Sequence, residues 1–210
     1  DITSEVGIEN LEFGMSAAFF DSDNDGWLDL YVTNYIEFSI EDNPECISAM
    51  QIPSHGELYA RSYCNPDNFL GVSDKFYYNN KGIFIDRSSR SGINKVSYKG
   101  LGVVPGDIDN DGDMDIYVAN DTQMNLLFVN DGKGRFIEKA LFMGVGFNEN
   151  GQPEAGMGVD LGDFNQDGWL DIFMTNFRGE TNTLYLNKRS GLFIDATNKT
   201  GLGKPSIPFL

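Results

Sequence analysis

The chain has 210 residues, enough for one substantial domain or several small repeated units, and it carries 32 acidic against 15 basic side chains for a formal charge of -17. A balance this acidic excludes nucleic acid as a partner, because phosphate binding requires a basic face. No stretch approaches the roughly 20 apolar residues that span a bilayer, and the chain opens on Asp1 without a basic segment and apolar core, so it reads as a mature or excised piece with any targeting signal removed.

Taken in order, the first feature is a step from an acid to a glycine, Asp1 to Gly7, which recurs as Asp86 to Gly92, Glu138 to Gly144 and Asp195 to Gly201. Such self-similarity marks a repeat architecture. A small-residue stretch follows, Gly14-Met15-Ser16-Ala17-Ala18-Phe19-Phe20, with counterparts at Gly100–Gly106 and Gly156–Gly162. Small residues there let neighbouring backbones come close.

Next comes the acidic loop Asp21-Ser22-Asp23-Asn24-Asp25-Gly26-Trp27-Leu28-Asp29, repeated from Asp107 to Asp115 and from Asp163 to Asp171. In the middle copy, Asp107, Asp109, Asp111 and Asp115 stand at positions 1, 3, 5 and 9, and the backbone carbonyl of Asp113 at position 7 can complete an all-oxygen shell. Calcium takes about six to eight hard oxygen ligands, whereas magnesium demands a strict octahedron and keeps its waters, so the loops favour calcium. Carboxylates packed this closely repel one another, and a divalent cation removes that cost. One such loop could be an ordinary solvated turn; three in equivalent contexts point to bound ions. Three calcium ions would bring the formal charge from -17 to -11.

These are not EF-hand loops, which need a bidentate Glu at position 12, since that place holds Val32, Val118 and Met174. Each loop runs instead into a short apolar stretch rich in aromatic and β-branched residues, Leu28 to Val32, Met114 to Val118 and Leu170 to Met174. Such stretches read as buried strands, so the loops are expected to join strand to strand. Beyond them stand Asn34, Asn120 and Asn176 in one register, then two further strand-like segments separated by a glycine turn. Every repeat thus offers four short strands, and the two uninterrupted ones take roughly 52 to 57 residues, the format of a propeller blade.

The expected units are 1-85, 86-137 and 138-194, with 195-210 restarting the pattern. Three blades and a fragment do not close a ring of the usual four or more blades, about seven being common. The fold class expected is therefore all-β, an open or partial propeller of antiparallel four-stranded blades. Both ends then need a partner, either further blades of a longer precursor or other copies stacked edge to edge, which would grow into a homopolymeric fibre.

The first repeat departs from the others through an insertion of about 33 residues at about 36-73, which holds Cys46, Cys64 and the sole histidine, His55. Two cysteines in one segment suggest a local disulfide and an oxidising compartment; the alternative is two reduced thiols. Insertions into repeat arrays lie on one face and often carry recognition, and a plain disulfide-tied elaboration fits equally well.

Catalytic constellations are missing from the sequence: it has no Gly-x-Ser-x-Gly, no His-Glu-x-x-His and no phosphate-binding glycine loop, which favours a non-enzyme. A part in a polysaccharide-active protein, catalytic or not, is the alternative, with Tyr59, Tyr63 and Tyr98 available to stack on sugars. Asn120 and Asn198 are candidate glycan acceptors, and Thr181, Thr183 and Thr197 could carry O-glycans. Asn120 shares its register with Asn34 and Asn176, which favours a hydrogen-bonding role for it.

The acidic hairpins, the Gly156-Met157-Gly158-Val159 lead-in and the trailing Asn182-Thr183-Leu184-Tyr185-Leu186-Asn187 resemble FG-GAP/VCBS repeats, most of all those of the cartilage acidic protein (ASPIC/UnbV) group, and more distantly the integrin α-subunit propeller. The resemblance covers nearly all of the chain outside about 36-73. It implies a secreted or surface-exposed propeller, extracellular or periplasmic, that serves in adhesion or binds an extracellular protein or glycan. Carried over position by position, the calcium ligands would be Asp21, Asp23, Asp25, the Trp27 carbonyl and Asp29; then Asp107, Asp109, Asp111, the Asp113 carbonyl and Asp115; then Asp163, Asn165, Asp167, the Trp169 carbonyl and Asp171. Affinity follows ligand charge, so the second loop is expected to bind tightest and the third, with Asn165, weakest.

Overall fold

A computed structural model describes residues 1-41, 43-52, 56-189 and 191-207. It is all-β, with three four-stranded antiparallel meanders that form propeller-type blades in an open array. The first blade contains β1 (Gly14–Phe20) and β2 (Asp29–Asn34), then, beyond the insertion hairpin of β3 (Cys46–Ile52) and β4 (Gly56–Ser62), β5 (Lys75–Asn80) and β6 (Ile83–Asp86). The second runs from β7 (Gly100–Gly106) through β8 (Asp115–Asn120) and β9 (Leu126–Asn130) to β10 (Phe136–Glu138). The third runs from β11 (Gly156–Gly162) through β12 (Asp171–Asn176) and β13 (Thr183–Asn187) to β14 (Phe193–Asp195).

Strand β8 is buried along its whole length because its sheet is covered on both sides. Ile116 and Val118 pack with Phe20, Tyr31 and Phe76 of the first blade, while Tyr117 and Ala119 pack with Ile172, Met174 and Tyr185 of the third. Period-2 alternation thus sends successive side chains into two different cores. Each large aliphatic side chain among them contributes about 1.5–3 kcal/mol by leaving water. The innermost strands lie closest together: a Cβ added at Gly102 would meet the Met157 carbonyl oxygen at 2.6 Å, so the small residues there are required by backbone approach.

The recurring acid-to-glycine step is a capped turn. In each copy the acid accepts from the backbone N–H two residues on: Asp1 from Thr3 at 3.0 Å, Asp86 from Ser88 at 2.9 Å, Glu138 from Ala140 at 2.6 Å and Asp195 from Thr197 at 2.9 Å. One helical turn follows in the middle copies, α1 (Ser88–Ser91) and α2 (Ala140–Met143), and a left-handed glycine ends it, Gly92 at φ 91° and Gly144 at φ 80°. A Cβ on Gly92 would lie 2.7 Å from the Phe136 carbonyl oxygen, so this glycine marks where one blade's exit turn touches the outer strand of the next.

Cys46 and Cys64 form a disulfide with their Cα atoms 5.1 Å apart, which closes the insertion and decides between the two readings of the cysteines. The insertion is also pinned to the array, through the bridge between Val72 and Tyr98 and a 3.2 Å ion pair from the buried Lys99 to Asp67. His55 lies outside the described residues. Among the described residues no helix is long and apolar enough to cross a membrane.

Candidate metal centres

Each acidic loop folds by the same local rules. Position 4 takes a left-handed conformation at Asn24 (φ 57°), Asn110 (φ 57°) and Gln166 (φ 58°), as does the glycine at position 6, Gly26, Gly112 and Gly168. Glycine adopts that region freely, and asparagine tolerates it better than most residues. The position-1 carboxylate then accepts two backbone N–H groups, as Asp107 does from Asp111 at 3.0 Å and from Gly112 at 3.0 Å, with the same pairs at Asp21 and Asp163. The position-5 carboxylate accepts from the N–H of position 7: Asp25 from Trp27 at 2.8 Å, Asp111 from Asp113 at 2.9 Å and Asp167 from Trp169 at 3.1 Å. That bond fixes the backbone at the residue whose carbonyl is the expected seventh-position ligand.

The position-9 aspartates are buried hubs rather than free ligands. Asp115 accepts from Ile108 N–H at 3.0 Å with one oxygen and from Asn130 N–H at 2.9 Å with the other, and burial pushes its pKa up to about 7. Asp29 and Asp171 make the equivalent pairs, to Ser22 and Asn79 and to Phe164 and Asn187. Position 9 therefore ties the loop to the third strand, and any metal contact it makes must use a remaining lone pair.

Position 3 differs. Asp23 Oδ1 and Asp109 Oδ1 are the two carboxylate oxygens among the described residues that are buried with no hydrogen-bond partner. Burial, then the neighbouring carboxylates, raises the pKa of both side chains. A buried acceptor without a donor costs free energy, and a bound cation would supply what is missing. Asp21, Asp23 and Asp25 bring one oxygen each within 4.8 Å of one another, as do Asp107, Asp109 and Asp115. The donor set is all oxygen and suits calcium. In the third loop Asn165 replaces the position-3 acid, no such trio forms among the described residues, and Arg189 donates to Asp167 at 3.1 Å.

Several partners of these loops carry no motif and were not legible in the sequence. Asn24 Nδ2 reaches Asp113 Oδ1 of the second loop at 3.1 Å, and Asn110 Nδ2 reaches the Gly168 carbonyl of the third at 3.2 Å, so each loop holds the next. Asn130 Nδ2 donates to the Ser22 carbonyl and Asn187 Nδ2 to the Ile108 carbonyl, which fastens each blade to the loop before it. The recurrence of an amide at position 4 and of Asn at the end of the third strand was the available signal.

The remaining candidates fall in different places. Asn120 is buried and donates from Nδ2 to the Met124 carbonyl at 2.7 Å, the hydrogen-bonding role its register suggested, and no glycan fits on that nitrogen in the folded chain. Asn198 is exposed, with its amide on Glu149. Thr183 and Thr197 are buried. Tyr63 is fully exposed and Tyr59 largely so, whereas Tyr98 packs against the core between the first two blades.

A family model described as FG-GAP-like repeat matches residues 64–118 and 107–174. Cartilage acidic protein 1 of Mus musculus is 28% identical over 188 residues, covering 89% of this chain and 24% of the relative. The Homo sapiens protein of that name is 29% identical over 182 residues, covering 86% of this chain and 23% of its own. The chain thus spans about a quarter of the length of these relatives. A solved Agrocybe aegerita lectin that recognises non-reducing terminal N-acetylglucosamine is 15% identical, with 89% of this chain and 52% of the lectin covered, at a TM-score of 0.32, a likeness that bears on neither fold nor function.

Proposed function

Because the chain belongs to the FG-GAP-like repeat family, we propose that it is a calcium-stabilised extracellular propeller module that binds a protein or glycan partner, as in adhesion. The observation that carries the calcium assignment is the pair of buried, partnerless position-3 oxygens on Asp23 and Asp109. Asp21, Asp23, Asp25 and the Trp27 carbonyl would hold one ion, with Asp29 behind them. Asp107, Asp109, Asp111, the Asp113 carbonyl and Asp115 would hold a second. Asp163, Asn165, Asp167, the Trp169 carbonyl and Asp171 would hold a third, weaker one, since Asn165 lacks a charge and Arg189 competes for Asp167. The disulfide supports an oxidising, extracellular setting.

Calcium titration of the intact chain by calorimetry tests this reading, with a melt in excess EDTA beside it. Two tight sites and one weaker are expected, and chelation should lower the melting temperature by many degrees. A melt unmoved by EDTA would remove the structural role of the ion.

Binding rather than catalysis is the activity proposed, since in this reading the clustered carboxylates serve as ion ligands and loop ties. Incubation with uronate-containing glycans should give retention without product; product formation would favour the polysaccharide-active alternative. One observation favours an assembly reading as well. Phe164 is 57% exposed, whereas Ser22 and Ile108 at the same loop position are covered by the following blade. We propose that a further blade, from the same precursor or from a second copy, seats on that face.

A further inference from the structure

Four cations gather in one cleft of this strongly acidic chain. Arg87 and Arg90 from the turn after β6, and Lys133 and Arg135 from the β9–β10 turn of the next blade, line a cleft of about 620 Å³ with Ser91 and Gly134. None of the four makes an ion pair, and none donates a side-chain hydrogen bond within the described residues. Arg90, Lys133 and Arg135 are exposed. The nearest acid of the β9–β10 turn, Asp131, accepts from the Lys133 and Arg135 backbone N–H groups at 3.0 and 3.3 Å. Arg87 is held in place by its ring contact, its guanidinium carbon 3.5 Å from the Tyr78 ring centroid. Tyr78 in turn donates to Asp25 at 3.1 Å, and Arg87 feels the carboxylate of Asp23.

Cations brought together without direct ion pairs repel one another, and an anion in the cleft relieves that repulsion. Arginine forks match planar or tetrahedral oxyanions with paired hydrogen bonds. The cleft has the volume of a small-ligand site, roughly 300–1,000 Å³, rather than the broad face of a protein partner, about 800 Å² a side. Screening over about 8 Å at physiological salt lets a local basic patch act against the net negative charge.

We infer that the cleft formed by Arg87, Arg90, Lys133 and Arg135 is a binding site for an anionic glycan, taking the sulfate or carboxylate groups of one to three sugar units. The four residues are not themselves proposed ion ligands, but Arg87 is coupled to Asp23 and, through Tyr78, to Asp25, so calcium is kept present in the test and the Arg90, Lys133 and Arg135 variants separate the two readings. The test uses the intact chain in calcium-containing buffer, titrated with a heparin-derived tetrasaccharide, its desulfated and N-acetylated counterpart, inorganic sulfate, and an acidic peptide of equal charge. Saturable binding of the sulfated sugar is expected, weakened by rising salt, displaced by inorganic sulfate at high concentration and much weaker for the desulfated form.

The double variant Arg90→Ala/Arg135→Ala should lower affinity by about tenfold or more, a loss equal to roughly 1.4 kcal/mol. Lys133→Ala alone should lower it severalfold, and the remote pair Lys199→Ala/Lys204→Ala, past the last strand of the third blade, should leave it unchanged. A melt of each variant matching the parent guards against loss of fold. Equal binding by the parent and the cleft variants would overturn the assignment, as would equal effects of the remote pair. Tight binding of the acidic peptide without the sugar would also overturn it and give the cleft to a protein partner.

Discussion

Asp74 shows how one side chain can depart from its own repeat. It accepts from Asn34 N–H at 2.8 Å and from Tyr31 Oη–H at 2.7 Å, and burial pushes its pKa up to about 7. The same place in the other blades is Asn125 and Asn182, which accept from Asn120 and Asn176 N–H without an ionisable group. Since the folded state holds the Asp74 proton more tightly than the unfolded chain, its contribution is most favourable below the unfolded value near 3.8 and declines as pH rises towards 7. Asp74→Asn should therefore match the parent in stability near pH 4 and exceed it by roughly 1–4 kcal/mol near pH 8. Urea unfolding at both pH values checks this; a variant less stable than its parent at the higher pH would count against it. At this scale the three acidic loops and their shared turn geometry were legible, because they depend on residue type and spacing. The double duty of the position-9 aspartates was not, since it depends on Asn79, Asn130 and Asn187 arriving from another strand.

Strands were readable wherever a repeat displayed the same pattern three times, since apolar alternation and glycine turns reinforce one another. The helical turns α1 and α2 escaped because one turn is too short to show a 3.6-residue period. Their signal was the acid-to-glycine step, whose cap and left-handed end are both local. The insertion hairpin had no counterpart to align with. Its disulfide joins residues 18 apart, and a loop of that size is stabilised by about 3 kcal/mol on the chain-entropy model. Reduction should expose the β3 and β4 amides to hydrogen exchange while leaving β8 and β9 protected, because those strands lie between two cores. Loss of protection throughout the blades would mean that the insertion supports the array as a whole.

For the molecule as a whole, the third blade carries one of the array's two uncovered faces, the first blade exposing Met15 and Phe19 at the other. On the third blade Phe164, Phe173 and Leu161 line a shallow cleft beside Leu202. Apolar surface left in water drives association, so the isolated chain should show concentration-dependent self-association in sedimentation runs. Phe164→Ser should shift it towards the monomer without altering calcium uptake by the first two loops. A monomer at every concentration for the parent chain would remove a second copy as the source of the covering blade and leave one from the same precursor. Blade number and neighbours were beyond the sequence because nothing in a repeat encodes how many copies follow it.

The ties from Asn24 to Asp113 and from Asn110 to Gly168 turn separate turns into linked clasps along one rim. Slackening one clasp frees the amide that steadies the next, so, with the proposed ions bound, emptying the poorest cage should loosen its neighbours in sequence. Fraying of the rim would then start at the third turn and travel towards the first, giving the module a direction in which it comes undone.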